Sequence, residues 1–224
     1  MDKEGDPKLL VWTLPTRLFH WTFGTCITLA LLSGEGIISM SMEQHMWVGG
    51  VALALILFRL FWGFVASDYA RFDRFSLNIL QLPNYAAQLF RRAPTPHAGH
   101  SPAGSWSVML ILIITLTQAV TGLMTSDAIF TEGPLVPFVD NNMVNLATDI
   151  HHLVSKLVIG IVILHLLAVF YYEVICKQRI IGAMITGHKN IEGAPAKTRP
   201  AIAVMLLTMA GGLVWLIFAL PQIW

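Results

Sequence analysis

The chain has 224 residues, of which 55% are hydrophobic and only 12% charged, with a formal net charge of +1 and a mean hydropathy of +0.66. Soluble domains carry about 25% charged residues, so the composition excludes an ordinary soluble globule. A net charge near zero gives no electrostatic footing for nucleic acid, which is not expected as a partner.

The apolar residues fall in helix-length blocks, without the alternation of barrel strands. A backbone in lipid must satisfy its own polar groups, so these blocks predict membrane-spanning helices. The first residues, M-D-K-E-G-D-P-K, have no clean basic region and no small-residue cleavage site, which predicts that the first apolar run is retained. That run covers residues 14–33, with Pro15 in the first turn, where its missing N–H costs nothing. Gly34-Glu35-Gly36 then breaks it. Ser41-Met42-Glu43-Gln44 has the form of a capping box and opens a second span, residues 42–65.

Residues 66–104 are more polar, with Asp68, Arg71, Asp73, Arg74, Arg91 and Arg92, and they end in P-T-P-H-A-G-H-S-P-A-G. Within them, residues 77–90 are semi-apolar around Pro83 and are expected at the membrane interface. A third span follows at 105–125. A loop carrying Asp127, Glu132 and Asp140 leads to a fourth span at 143–174. A basic loop, 177–199, precedes a fifth at 201–220. The expected fold is all-α and integral to the membrane: a four-helix transmembrane bundle with a fifth, C-terminal span. Residues 1–190 form the main domain, and 191–224 a linker and the additional helix.

Charge orients these helices. The 14 Lys and Arg residues lie in the N-terminal segment (Lys3, Lys8, Arg17), in the 66–104 and 177–199 loops, and twice within spans, at Arg59 and Lys156. The 34–41 and 126–142 loops have none. The positive-inside rule places the N-terminus in the cytoplasm, the two acidic loops in the periplasm or outside, and Trp224 at the outer end of the fifth span.

The fourth span carries D-I-H-H-L-V-S-K-L-V-I-G-I-V-I-L-H, Asp149 to His165. His151 and His165 are 14 residues apart, so on one helix they return to within about 40° of the same direction and differ in height by about 21 Å. His152 misses that direction by about 140°. His20 lies one to two turns inside the cytoplasmic end of the first span, and His45 near the outer end of the second. Depth therefore pairs His45 with His151 and His20 with His165. Ionisable groups in a membrane mark function by default. Neutral imidazole ligates iron, and haem fills the core of a bundle, so the four histidines suggest two haem sites. A hydrogen-bonded packing residue is the bland alternative for any one of them. Zinc fits less well, because no carboxylate or cysteine completes a cluster. The two cysteines, Cys26 and Cys176, form no C-x-x-C-H, which argues against covalently attached haem, and suggest no disulfide framework.

Other residues have a sharp and a bland reading. Arg59 shares the face of His45 about 21 Å deeper and either meets a haem propionate or snorkels to the interface. Arg17, three residues before His20, has the same two options. Gly49, one turn after His45, allows either a flat macrocycle or a neighbouring helix to approach. Lys156 is expected to pair with a propionate, with Asp149 or with Glu43. His152 is expected to face a partner behind the iron ligands or a rim, not iron. Gln118 and Thr121-Gly122 line a haem or pack. His97 and His100 are polar loop residues or, for His100, a proton-handling group beside a quinone head.

The pieces T-R-L-F-H-W at 16–21, H-M-W-V-G at 45–49 and L-F-R-L-F-W-G-F-V at 57–65, followed by Y-A-R-F, resemble the bacterial cytochrome b561 family. So do G-H-S-P-A-G at 99–104, T-G-L at 121–123, I-H-H at 150–152, L-H at 164–165 and A-M-I-T-G-H-K at 183–189. That family includes the b-type cytochrome subunits of nickel–iron hydrogenases and related formate dehydrogenases. The resemblance implies a four-helix bundle with two haem b groups, ligated by His20, His45, His151 and His165, and electron exchange with the quinone pool. It departs at His152, a position often Glu in such proteins, and in the appended fifth helix.

The expected function is electron transfer between quinone and a redox partner, a multihaem cytochrome, dehydrogenase or hydrogenase subunit on the periplasmic side of a bacterial inner membrane. The chain would be the electron-transfer subunit of a quinone-linked oxidoreductase, and a homo-oligomer is compatible with it. A stand-alone superoxide:quinone oxidoreductase ranks lower, because the outer loops are acidic and would repel superoxide. A non-redox membrane anchor is the third alternative.

Overall fold

The computed structural model describes residues 8–66, 69–92, 94–127 and 129–222. Lys3, Asp68 and Trp224, which entered the orientation argument, lie outside the described residues.

The first helix, α1, covers Leu14–Gly34 and starts with Pro15 in its first turn. Gly36, at φ 68°, ends it. Ile37 N–H reaches the Leu32 carbonyl at 2.8 Å and Gly36 N–H reaches Ser33 at 3.1 Å, which closes the helix in a Schellman motif. The second helix, α2, covers Met42–Val65. Its capping box is formed in both directions: Ser41 N–H donates to Gln44 Oε1 at 3.0 Å, and Gln44 N–H to Ser41 Oγ at 3.2 Å.

After a short 3-10 turn at Ile79–Gln81, α3 covers Leu82–Phe90, with Pro83 in its first turn. Asn78 caps the 3-10 turn by accepting from Leu80 N–H at 3.0 Å. Helix α4 covers Pro102–Gly122, three residues earlier at both ends than the expected third span. Pro102 suits the first position, and the other end is set by hydrogen bonding. The carbonyls of Leu123 and Thr125 accept from Leu135 and Gly133, both at 2.8 Å, so the backbone turns back and the helix stops. Helix α5 covers Asn141–Phe170, capped by Asp140, whose Oδ1 accepts from Met143 N–H at 3.0 Å. A π-helical turn, Tyr171–Ile175, prolongs it. Helix α6 covers Ile180–Thr186 and ends at Gly187, at φ 87°; α7 covers Pro200–Ala219.

Two strands were not expected. β1 (Lys8–Leu10) and β2 (His188–Asn190) pair antiparallel, Leu9 opposite Lys189. Neither has enough length or alternation to announce a strand, and the pairing joins residues far apart in the chain.

Among the described residues, four helices are long and apolar enough to cross a membrane: Met42–Val65, Pro102–Gly122, Asn141–Ile175 and Pro200–Ala219. The 21-residue α1 is not among them. Its sequence contains Thr16, Arg17, His20, Thr22, Thr25 and Thr28, which lower its apolar character.

The chain forms two compact units. The first comprises residues 1–18, 62–110 and 162–200. Its core gathers Leu9, Val11, Trp12 and Ala183, with Tyr69, Ala98, Met184 and Ile191 against them. Trp62 is fully buried, and its Nε1–H donates to Thr16 Oγ1 at 3.1 Å. The second unit comprises residues 19–61, 111–161 and 201–224. One part of its core is Phe23, Cys26, Ala52, Leu55 and Ile56; another is Leu53, Ala54, Leu123 and Val214. The second group contains Val214 of α7, so the C-terminal helix packs on α2. Phe218 stacks on Trp47, ring centroids 4.8 Å apart, and a Cβ placed on Gly50 would lie 3.1 Å from the Phe218 ring.

Candidate functional site

His45 stands in the first turn of α2 in the second unit. Its Nδ1 lies 2.8 Å from Ser33 Oγ, in the last turn of α1. The same hydroxyl lies 3.1 Å from the Ala30 carbonyl; when it donates there, it accepts from His45 Nδ1–H, and Nε2 keeps its lone pair.

His151 is held in a similar way on α5. Its Nδ1 lies 3.0 Å from the Gln118 backbone carbonyl, which can only accept, so Nδ1 carries the proton. Nε2 then accepts from the Gln118 side-chain amide at 3.1 Å, while Gln118 Oε1 is buried without a hydrogen-bond partner. Thr121 Oγ1 is 3.3 Å from Nδ1. A Cβ on Gly122 would lie 2.9 Å from His151 Cε1, so only glycine lets the ring sit there. His151 lies within electrostatic reach of both His45 and His152. The expected outer pair is therefore brought together within one unit. His152 is exposed, its ring 6.3 Å from that of His151.

The other expected pair is divided between the two units, His20 in the second and His165 in the first. Both are half-buried. His20 meets Trp21 edge-on at 5.1 Å. Arg59 is buried, with 3% of its surface exposed, and is not a snorkelling arginine. Arg17, expected toward a propionate, instead donates through Nη1 to the Ile185 carbonyl, where α6 ends with carbonyls to satisfy. Lys156 pairs with neither Asp149 nor Glu43. Its amine meets Glu35 Oε1 at 2.6 Å, because the turn after α1 carries that carboxylate to α5. His100 is packed between Trp12 and Phe75, each ring 4.8 Å away.

The outer pair suits a haem by three observations. Both imidazoles have a hydrogen-bond partner at Nδ1, the Ser33 hydroxyl and the Gln118 carbonyl, which directs Nε2 to a metal, as is usual for histidine ligands. Gly49 is half-buried, yet a Cβ there would meet nothing within 4 Å, so α2 has an open side one turn after His45. At His151 the amide now on Nε2 belongs to a side chain whose other end has no partner, so iron could take its place. Among the described residues no group of three or more His, Cys, Asp or Glu could hold a bare metal ion. Ser33 was missed in the sequence. A lone serine in the last turn of an apolar helix carries no signal until the turn after it brings it to His45.

Residues 11–187 match the family model of prokaryotic cytochrome b561. The chain is also similar to three proteins described as probable Ni/Fe-hydrogenase B-type cytochrome subunits. The one from Rhodobacter capsulatus is 22% identical, with 81% of each chain covered. That from Rhizobium leguminosarum bv. viciae is 23% identical, over 80% of this chain and 87% of the other. That from Bradyrhizobium diazoefficiens is 20% identical, over 83% and 87%. No solved structure matches. With a family that implies haem b and with four helices able to cross a membrane, this is a multi-pass membrane cytochrome of electron transfer, and the chain belongs to the prokaryotic cytochrome b561 family.

Proposed function

We propose that the chain is a di-haem b-type cytochrome that carries electrons between the quinone pool and a redox-partner subunit. The observation that carries this reading is the histidine arrangement. His45 and His151 lie in one unit within electrostatic reach, the Nε2 of His151 now meeting the Gln118 amide, and α5 repeats a histidine about 21 Å along, at His165. In the proposal His45 and His151 hold one haem, and His20 and His165 the other. The bound haems supply one-electron chemistry at iron. The chain's own residues set position and charge. Ser33 and the Gln118 carbonyl orient the outer imidazoles, Gly49 and Gly122 leave room, and buried Arg59 offers a cation to a propionate. Lys156, held by Glu35, is placed at the outer rim.

Helix α1 is counted as a span despite its polar residues: at 21 residues it is about 31 Å long, enough to cross a bilayer. Two of its threonines bond back to the helix, Thr25 Oγ1 donating to the Trp21 carbonyl at 3.0 Å and Thr28 Oγ1 to Gly24 at 2.8 Å. Residues 1–190 form the di-haem domain and 191–224 an addition beyond it. The membrane is a bacterial inner membrane, with the N-terminus cytoplasmic and the C-terminus periplasmic. His100 is assigned to proton handling at the quinone. The names of the relatives support a hydrogenase-like partner, placed on the periplasmic side.

The test is haem content by absorption spectroscopy of the purified chain. His45→Ala and His151→Ala should each remove the same haem, and His20→Ala and His165→Ala the other, while His152→Ala spares both. Wild-type protein without b-type bands, made with ample haem, would sink the proposal.

A further inference from the structure

The first unit carries a surface that the electron path does not use. It runs from the 3-10 turn at Ile79–Gln81 through α3. Tyr85 is buried, with its hydroxyl 2.7 Å from that of Tyr172. Gln81, Asn84 and Gln88 line a cavity of about 250 Å³ with Thr95 and His97. Leu82, Tyr85, Ala86 and Leu89 face inward, but a second apolar set is turned out: Leu80, Pro83, Ala87 and Phe90 are all exposed, Leu80 at 78% and Phe90 at 87%. Pro83, Ala87 and Phe90, at steps of four and three, share one face of α3, and Leu80 precedes them in the 3-10 turn. Ile79 is exposed at 63% as well. The segment therefore presents an apolar stripe outward, while Gln88 is half-buried on the side of the cavity.

The charges around the stripe have one sign. Arg91 and Arg92 follow α3 directly, Arg74 precedes it, and all three are exposed. Asp73 is engaged by Arg71, at 2.5 and 3.0 Å. Between residues 74 and 126 the sequence has no Asp or Glu. The segment also begins after one helix able to cross a membrane, α2, and ends before another, α4, so both its ends are tied to the bilayer surface. An apolar face at that depth, flanked by arginines, fits a leaflet of anionic lipid: acyl chains take the stripe and phosphates take the guanidinium groups.

We propose that residues 74–92 form an interfacial seat for anionic phospholipid, with Leu80, Pro83, Ala87 and Phe90 in the acyl boundary and Arg74, Arg91 and Arg92 on the phosphates. The seat does not depend on the haem assignment. It can be tested on the full chain with Cys26 and Cys176 replaced by Ser, carrying a fluorescent label at A87C or, separately, at Q88C. The protein is placed in nanodiscs of phosphatidylcholine with or without phosphatidylglycerol, and a spin-labelled lipid serves as quencher. The label at A87C should be quenched and that at Q88C spared. Phosphatidylglycerol should strengthen the quenching, and R91Q and R92Q should each weaken that dependence by roughly fivefold. A label at A87C that stays in water in every lipid overturns the proposal and leaves the stripe for a protein partner. Quenching indifferent to phosphatidylglycerol and to both arginines overturns it too, as does equal quenching at the two positions. An unchanged absorption spectrum in the labelled proteins shows that the fold is intact.

Discussion

At the scale of single residues, the outer histidines are informative because their second nitrogens are committed. Ser33 is bonded to His45, and the Gln118 carbonyl accepts from His151. Loss of such an orienting partner weakens metal affinity by about 10–100-fold. Ser33→Ala should accordingly raise the haem dissociation rate or shift the midpoint potential of one haem and leave the other unchanged; two unaltered haems would dismiss Ser33 as an orienting residue. Gly122→Val should displace the His151 ring, because even a Cβ would lie 2.9 Å from it, and spectra should show the same haem perturbed as in Ser33→Ala. Outside the spans, Lys189 offers a pH test. It donates to the carbonyls of His97 and Gly99 at 3.0 and 3.3 Å, beneath the Trp12 ring. Burial pulls its amine down from 10.5 to about 8. Between those values the unfolded chain binds more protons than the folded one, so stability rises with pH across the window and falls as pH drops through the lower value. Lys189→Met should flatten that part of the stability profile. The histidines were legible in the sequence because a helix repeats at a known angle. Ser33 was not, because its value comes from a turn that no periodicity describes.

At the scale of elements, the sequence is clearest where structure is local. The capping box at Ser41–Gln44 and the stop at Gly36 involve residues within five positions of each other, and both form as their chemistry dictates. Replacing Ser41 by Ala removes one half of that cap and should cost about 1 kcal/mol of stability in detergent. The helix beyond the family match was legible as a span but not as a packing partner. Its Phe218 covers Gly50 and Trp47 on α2, a few residues after His45. Phe218→Ala should destabilise the protein by roughly 2 kcal/mol, below the range for a fully buried ring because Phe218 is only partly covered. Thermal unfolding of variant and parent in the same detergent would show it. An unchanged unfolding temperature would mean that α7 adds little to the second unit. The strands β1 and β2 were illegible for the opposite reason to the caps: three residues pair with three others about 180 positions away.

For the molecule as a whole, the proposed arrangement needs an odd number of membrane crossings between the N-terminus and the loop after α1. Helix α1 is the element on which this turns, since its polar residues make it the least apolar of the long helices. Single cysteines at Ser39 and Thr198, in a background without Cys26 and Cys176, should be labelled from opposite sides of intact vesicles, because α2, α4 and α5 separate them. A tag preceding Lys8 should share the side of Thr198. A tag on the side of Ser39 would remove α1 from the set of spans and the inner histidine pair with it.

The sequence by itself determined that the chain belongs in a membrane, where its long helices begin and end to within a few residues, and which histidines share a helix face; the short α6 lies in what reads as a loop. Each of these rests on composition, on the 3.6-residue period or on caps formed by near neighbours. Only the tertiary structure decided that Ser33 holds His45 and that Gly122 makes room for His151. It likewise decided that Lys156 answers to Glu35, that Arg17 is given to the end of α6, and that α7 lies on Gly50. The physical reason is common to all five. They are contacts between segments distant in the chain, and which side chain meets which is set by how helix faces and turns pack, not by the local pattern that sets where a helix lies.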